Sequence, residues 1–232
     1  MRRVCPFIPL RSPPIWRGRT ETPTRAKHTH PRPLLASTRV DIDGSMGEGG
    51  GQVLRNAMAY ATILRRPLRV HSIRAGRTNP GLQAQRLAGV NAAVRIMRGT
   101  LAGAALGSTE IFYDPPPRNQ EVTRGSLKGQ IFEVENCTAA SVTLVLQAVL
   151  LPLLYSGAKI TIRGGTAVSF APTTDYVHLV LSPSLRSLFN LRLALEVHRP
   201  GVFPRGGGAV TAALEAGGGE ALGGEGWVAA VR

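Results

Sequence analysis

The amino-acid sequence predicts an α+β protein made of two tandem β-α-β-α-β-β repeats, with helices packed on sheets. The first supporting observation is an internal similarity without gaps, in which residues 51–76 lie over residues 140–165, an offset of 89 positions. In each copy a helical stretch leads to a strand that ends in Ile-Arg, and a turn containing glycine follows. The second observation is that a segment of alternating hydrophobic pattern precedes each helix, at 39–43 and at 130–135. Because the same elements recur at one fixed offset, we interpret them as a duplication.

The first repeat is predicted to begin with the strand at 39–43, followed by a helix that starts near Gly51 and a strand that ends at Arg74. The second helix is predicted to begin at Pro80, because Asn79 can cap it and proline is favoured at the first helical position. Four apolar residues at helical spacing continue this helix: Leu87, Val90, Val94 and Met97. A strand follows near 109–113, and a sixth element is expected to be a strand.

The second repeat is predicted to place its first helix on the apolar run at 139–155. This run is too short for a membrane span and contains polar residues, so we expect a buried helix and no membrane partner. Pro172 precedes a shorter helix, which Pro183 is expected to kink or restart. Strands are predicted at 191–198 and, more weakly, at 209–214.

These elements predict repeat boundaries at 39–127 and 128–216, followed by a frayed Gly-rich tail at 217–232. The leading segment, 1–38, is rich in Arg and Pro, nearly free of acidic residues and without hydrophobic periodicity, so it is predicted to be disordered. It is typical of either a basic extension or an organelle transit peptide. The expected localisation is therefore the nucleus or cytoplasm, with organelle import left open. A net charge of +14 is compatible with a polyanionic partner.

A glycine-rich stretch, DGSMGEGGGQVLRNA at 43–57, carries the main functional signal. Its glycines allow a ligand to approach the backbone closely, and the helix that follows directs N–H groups at the turn. The stretch lacks the Lys of a P-loop and the third glycine of a dinucleotide fingerprint. A carboxylate among phosphate-binding groups suggests a divalent cation, so Glu48 predicts a nucleotide–metal site. A tight turn without a ligand remains the alternative. The candidate phosphate-binding residues of this stretch are Gly49, Gly50, Gly51, Gln52 and Arg55.

Further candidates come from the turn after the second strand and from the helices. Arg74 and Arg77 should lie beside the glycine loop, because neighbouring parallel strands end at the same edge of a sheet. Gln85 and Arg86, in the first turns of the next helix, are close enough to join them. Gln147 interrupts an apolar helix, and both a structural role and ligand contact stay open. The histidines at 71, 178 and 198 have no recognisable orienting carboxylate, and we expect structural roles for them.

The combined motifs EGGGQ, IRAGR…PGL, LVLQ…LP, GGT…APTTDY and PRGGG resemble those of the RNA 3′-terminal phosphate cyclase family, from about residue 39 to residue 210. The resemblance implies repeats like the C-terminal domain of translation initiation factor three. It also implies ATP-dependent conversion of an RNA 3′-phosphate to a 2′,3′-cyclic phosphate, through enzyme–AMP and RNA–adenylate intermediates, with Mg²⁺ or Mn²⁺. By motif, Glu48 resembles the metal-linked carboxylate, and Arg55, Arg74, Arg77 and Gln85 resemble contacts to phosphate and the RNA end.

The chain departs from the family pattern at several positions. Arg86 stands where the family usually has histidine, and Ala167 follows GGT in place of Asp or Asn. The TAGS motif is Thr-Ala-Ala-Ser at 138–141, and no histidine matches the family's nucleophile. We therefore expect the N-terminal part of a cyclase that binds nucleotide or RNA phosphate weakly without adenylating itself. The alternatives are a non-catalytic cyclase-like RNA-binding or ribosome-biogenesis factor and an enolpyruvyl transferase of related repeat architecture. The oligomeric state stays open.

Overall fold

The computed structural model describes residues 38–47, 49–135 and 139–217. The predicted extension and tail lie almost entirely outside these residues, as does Glu48. The described residues belong to one compact unit that begins at Thr38. Its first half contains two helices and four strands: β1 (Val40–Asp43), α1 (Gly51–Leu64), β2 (Leu68–His71), α2 (Ala84–Met97), β3 (Thr100–Ala102) and β4 (Ile111–Asp114).

The second half follows a short 3₁₀ turn at Arg118–Gln120 and repeats the same order. One long helical segment replaces the second helix and contains a π-helical part at Val177–Leu181. The elements are β5 (Ile131–Glu135), α3 (Val142–Ser156), β6 (Lys159–Gly164), α4 (Thr174–Tyr176), α5 (Ser182–Phe189), β7 (Leu191–Arg199) and β8 (Gly208–Ala216).

The two sheets have the same topology, which confirms the predicted α+β fold with repeated units. The strand orders are β1-β2-β4-β3 and β5-β6-β8-β7. In each sheet the first pair is parallel, with Ile42 opposite Val70 and Val134 opposite Ile162. The remaining pairs are antiparallel. The parallel pair brings the loop after the first strand and the turn after the second strand to one edge of the sheet.

The helices of both repeats pack against one another as well as on their sheets. Helix α3 contacts both α1 and α2, and Val145, Val149 and Leu153 on it are fully buried. Ile96 and Met97 of α2 belong to the same apolar cluster as α3 and the second sheet. Helix α2 therefore contributes to the core of the second repeat as well as to that of the first. Because α3 is covered by helices as well as by its sheet, the run predicted as a buried helix is apolar on every side.

Arg65 holds the first repeat to the second. Its guanidinium forms a salt bridge with Glu121 and donates hydrogen bonds to the Val122 carbonyl (3.1 Å) and the Tyr155 hydroxyl (3.2 Å). These partners lie on the connecting segment and on α3, so one side chain at the end of α1 contacts both.

The start of α2 differs from the prediction, because the helix begins at Ala84 rather than at Pro80. Gly81 has a φ of +78°, which ends any right-handed helix at that position. Its N–H donates to the Ile73 carbonyl, and the Leu82 N–H donates to the Ser108 carbonyl. The backbone of this segment therefore bonds to neighbouring loops.

Pro183 restarts the long helical segment, as expected. The π-helical turn lies directly before it, and α5 has proline in its first turn. Ser184 Oγ donates to the Val180 carbonyl (2.7 Å), which satisfies one acceptor in the disturbed turn. No helix among the described residues has the length and apolar character needed to cross a membrane.

Candidate phosphate-binding site

The glycine loop lies against the end of β2, as the parallel pairing predicts. The Gly44 N–H donates to the His71 carbonyl at 2.7 Å. The Asp43 carboxylate accepts hydrogen bonds from the Ser45 N–H (2.9 Å) and hydroxyl (2.7 Å). The backbone bond from Ser45, followed by the hydroxyl bond, lowers the pKa of Asp43 below its ordinary value. These contacts fix the entry to the loop.

Helix α1 begins without a side-chain cap, in contrast to the corresponding helix of the second repeat. Its N-cap residue is Gly50, which has no side chain to accept a hydrogen bond. Helix α3 is capped by Ser141, whose Oγ accepts from the Leu144 N–H at 3.3 Å. The first-turn N–H groups of a helix have no partner within the helix, and they favour an anion. The repeat that carries the glycine loop is therefore the one whose helix start lacks an internal cap.

The guanidinium of Arg86 lies directly over the start of α1. A Cβ added at Gly51 would clash with Arg86 Nε and would lie 3.0 Å from Arg55 Nη1. Arg86 Nε is buried and has no hydrogen-bond partner among the described residues. Glycine at position 51 therefore allows two arginines to reach the helix start.

Arg74 and Arg77 add positive charge from the turn after β2. Arg74 has a φ of +58°, and its Nε donates to the Asn79 carbonyl at 3.1 Å. Burial, followed by the charges of Arg74, Arg55 and Arg77, lowers the pKa of Arg86 to about 10. Arg55, Arg74 and Arg77 therefore each act electrostatically on Arg86, and we call these four residues the arginine cluster.

The second repeat supplies one polar contact to this cluster and one to the neighbouring Gln85. Arg55 Nε donates to Gln147 Oε1 at 2.9 Å, and burial lowers the pKa of Arg55. Gln85 Oε1 accepts from the Ser141 N–H at 3.1 Å. The polar residue that interrupts α3 therefore holds an arginine of the first repeat in place. Gln52, in the first turn of α1, has an exposed side chain.

An apolar groove adjoins the cluster and shares Gln147 with it. It has a volume of about 270 Å³, and its apolar walls include Leu144, Leu150, Pro172 and Tyr176. Thr143 Oγ1 donates to the Pro172 carbonyl at 2.7 Å, which ties this wall to the start of α3. The groove was not predicted as part of the site, although the motif APTTDY contains two of the residues that line it, Pro172 and Tyr176.

A family model described as RNA 3′-terminal phosphate cyclase matches residues 46–222 of the chain. The chain belongs to this family. A protein of that name from Archaeoglobus fulgidus is 43% identical over 173 residues, which cover 74% of this chain and 50% of the relative. The relative from Trichormus variabilis is 44% identical over 181 residues (77% and 51%). The relative from Thermococcus kodakarensis is 40% identical over 176 residues (76% and 48%).

This member of the RNA 3′-terminal phosphate cyclase family spans about half the length of the curated relatives it matches. The family assignment favours the cyclase interpretation over the enolpyruvyl transferase alternative. It also accounts for the order of the motifs from the glycine loop to PRGGG.

Two of the three histidines among the described residues have side-chain polar partners outside the arginine cluster. His71 is on the outer face of the first sheet, with Nδ1 2.9 Å from Ser72 Oγ and Nε2 3.6 Å from an Asp41 oxygen. His198 Nε2 lies 2.8 Å from Thr211 Oγ1 on the second sheet. His178 is exposed on the π-helical turn. His198 Nδ1 also lies 3.4 Å from a Glu196 oxygen. Two of the three histidines therefore have a carboxylate beside them, which the sequence did not predict, and their structural role stays a prediction.

Within the described parts of the chain, no group of three or more His, Cys, Asp and Glu residues could hold a metal ion. Mg²⁺ is commonly bound by one or two carboxylates together with substrate phosphates and water, so a dense cluster is not required. The predicted metal residue, Glu48, follows described residue Gly47 in the same loop but is itself outside the described residues.

Proposed function

We propose that this chain binds the phosphate groups of ATP and of an RNA 3′-phosphate end at the arginine cluster, as part of an RNA 3′-phosphate cyclase. The observation that carries the proposal is the placement of Arg86, with an unpaired buried Nε, against Gly51 and beside Arg55. A half-buried cation next to three other cations and a helix start is unfavourable without an anion.

The geometry favours a phosphate over a small carboxylate. Guanidinium groups present parallel donors that match phosphate oxygens, and several of them can contact different oxygens of one group. Among the described residues, Arg55, Arg74 and Arg86 form no salt bridge with a carboxylate. Their charge therefore remains available to a ligand that carries several oxygens.

The groove beside Gln147 supports the nucleotide part of the proposal. Nucleobases stack on aromatic and apolar surfaces, and Tyr176 and Pro172 provide such a surface within reach of the cluster. In this arrangement the base occupies the groove and the phosphates extend to the arginines. Glu48 would hold Mg²⁺ or Mn²⁺, which neutralises phosphate charge when bound.

The proposed reaction is the ATP-dependent conversion of an RNA 3′-phosphate to a 2′,3′-cyclic phosphate through enzyme–AMP and RNA–adenylate intermediates. In that reaction the described residues bind and orient the two phosphate-bearing ligands. The first step needs a nucleophile, and the side-chain polar partners of His71 and His198 lie outside the cluster. We therefore propose that this chain binds its ligands without forming an AMP adduct on its own.

One alternative is a non-catalytic cyclase-like RNA-binding or ribosome-biogenesis factor, because the charge of the arginine cluster also suits RNA phosphates without ATP. The two functions differ in their need for ATP. A cyclase part binds ATP at the groove and cluster, so ATP competes with RNA for the site. An RNA-binding factor binds RNA equally well in the presence and absence of ATP.

The test uses a short oligoribonucleotide with either a 3′-phosphate or a 3′-hydroxyl, and ATP labelled in the adenylate moiety. The 3′-phosphorylated RNA should bind more tightly, ATP should compete with it, and binding should weaken as salt increases. After denaturation of the protein, no covalently bound AMP label should be detected on it. The matched variants are Arg55→Gln, which should weaken binding, and Arg66→Gln, which should not. Arg66 is exposed just beyond the C-terminal end of α1, about 16 Å from Arg55 along the helix axis. Equal binding of both RNAs would contradict the proposal.

A further inference from the structure

We infer that Arg86 is a specificity-determining residue that makes the site select ligands ending in a phosphomonoester over ligands that carry only phosphodiesters. The inference rests on the proposed phosphate function and adds a role for one residue of that site. It starts from three observations: the unpaired Arg86 Nε, its contact with Gly51, and its position among Arg55, Arg74 and Arg77.

Arg86 differs from Arg55 and Arg74 in having no partner for Nε among the described residues. Arg55 Nε is held by Gln147 and Arg74 Nε by the Asn79 carbonyl. The Nε donor of Arg86 is buried at the start of α1 and has no hydrogen-bond partner among the described residues. A buried donor without a partner costs free energy, which an acceptor supplied by a ligand would recover.

The charge of the ligand decides how much Arg86 contributes. A terminal phosphomonoester carries about −1.5 to −2 charges at pH 7, whereas an internal phosphodiester carries about −1. The Coulomb energy between Arg86 and the ligand is proportional to the ligand's charge. Removing the Arg86 charge should therefore weaken binding of a dianion about tenfold and of a monoanion only about threefold.

Arg86 also destabilises the free protein, which separates this role from a structural one. Its guanidinium is half-buried beside three like charges and the positive end of α1. Neutralising it should raise the melting temperature while it lowers affinity for the phosphomonoester. A side chain that merely supported the fold would lower the melting temperature when it was replaced.

The experiment measures binding of one short oligoribonucleotide in its 3′-phosphate and 3′-hydroxyl forms to the full chain and to Arg86→Gln, Arg86→Lys and Arg66→Gln. Both forms contain the same phosphodiesters, so their affinity ratio isolates the terminal group. Arg86→Gln should reduce the ratio about threefold, whereas Arg86→Lys, which retains the charge, and Arg66→Gln should retain it. If Arg86→Gln does not fold, Gly51→Ala, whose Cβ displaces the Arg86 guanidinium, should reduce the ratio instead.

The outcomes are separable. In the first outcome, the unaltered chain prefers the 3′-phosphate, but Arg86→Gln weakens binding of both RNAs equally or leaves both unchanged. This result overturns the role of Arg86, and the phosphate function stands. If the unaltered chain does not distinguish the two RNAs, both proposals are overturned. A reduced ratio with a raised melting temperature supports the inference.

Discussion

Replacing Gln147 by glutamate places a carboxylate where the structure has an amide oxygen. Gln147 Oε1 accepts from Arg55 Nε at 2.9 Å, and both side chains are partly buried. The substitution is nearly isosteric, so packing in α3 is retained while the hydrogen bond becomes a salt bridge. It should therefore change the charge of the site with little change of shape.

The expected effects on stability and on binding have opposite signs. Two unit charges about 4 Å apart attract by about 4 kcal/mol at an effective dielectric constant near 20, and desolvation of the carboxylate offsets most of this. We expect a net gain of about 1 kcal/mol, or about 2–4 °C in melting temperature for a chain of this size. The cluster loses one net positive charge, so affinity for a phosphorylated ligand should fall about tenfold, equivalent to about 1.4 kcal/mol.

The melting temperature is measured by thermal unfolding. The affinity for inorganic pyrophosphate is measured by isothermal titration calorimetry. Gln120→Glu, at an exposed position in the 3₁₀ turn, is the matched control for the change in net charge. Gln147→Leu removes the acceptor and should lower the melting temperature. If Gln147→Glu leaves pyrophosphate affinity at the level of the Gln120→Glu control, Arg55 does not face the bound anion and the site is wrongly placed.

Three further predictions concern stability and titration. Arg65→Met should lower the free energy of unfolding by about 2 kcal/mol, because it removes a salt bridge and a hydrogen bond to the connecting segment and a hydrogen bond to α3, and urea unfolding would measure the loss. Tyr113→Phe should stabilise the fold by about 1 kcal/mol in the same assay, because the Tyr113 hydroxyl is buried without a partner among the described residues and burial raises its pKa to about 12; a clear loss would reveal a partner. Ser45→Ala should raise the pKa of Asp43, as followed by NMR, because one of two hydrogen bonds to the carboxylate is lost. The lowered pKa stabilises the folded state above the ordinary pKa of Asp and this contribution disappears as pH falls through the folded value, so the variant and the parent should converge in stability in acid.

The repeat order was predictable because it depends on local signals that occur twice. The Ile-Arg turn, the alternating strands and the apolar helix each leave a pattern in the sequence, and the structure confirms two sheets of identical order. The sequence did not predict strand β3 (Thr100–Ala102), because a strand of three mostly exposed residues is too short to show an alternating hydrophobic pattern. The late start of α2 was missed because Asn79-Pro80 resembles a helix start, whereas Gly81 and its backbone bonds determine the local path.

The proximity of the candidate arginines could be predicted from the sequence, but their individual contacts could not. The parallel strand pair places Arg74 near the glycine loop by topology alone. The bond between Arg55 and Gln147 joins residues 92 positions apart, and it depends on how α1 and α3 pack. The contact of Arg86 with Gly51 likewise depends on the rotation of α2 about its axis. Such contacts are set by tertiary packing, which one sequence does not display.

The most direct measurement of the central claim is a crystal structure of the chain with tungstate, a phosphate analogue that is located by its anomalous scattering. The arginine cluster at the start of α1 predicts the strongest peak within contact distance of the Arg55 and Arg86 guanidinium groups and the backbone at Gly51. A strongest peak elsewhere, such as beside Arg118, with none at the start of α1, would contradict it.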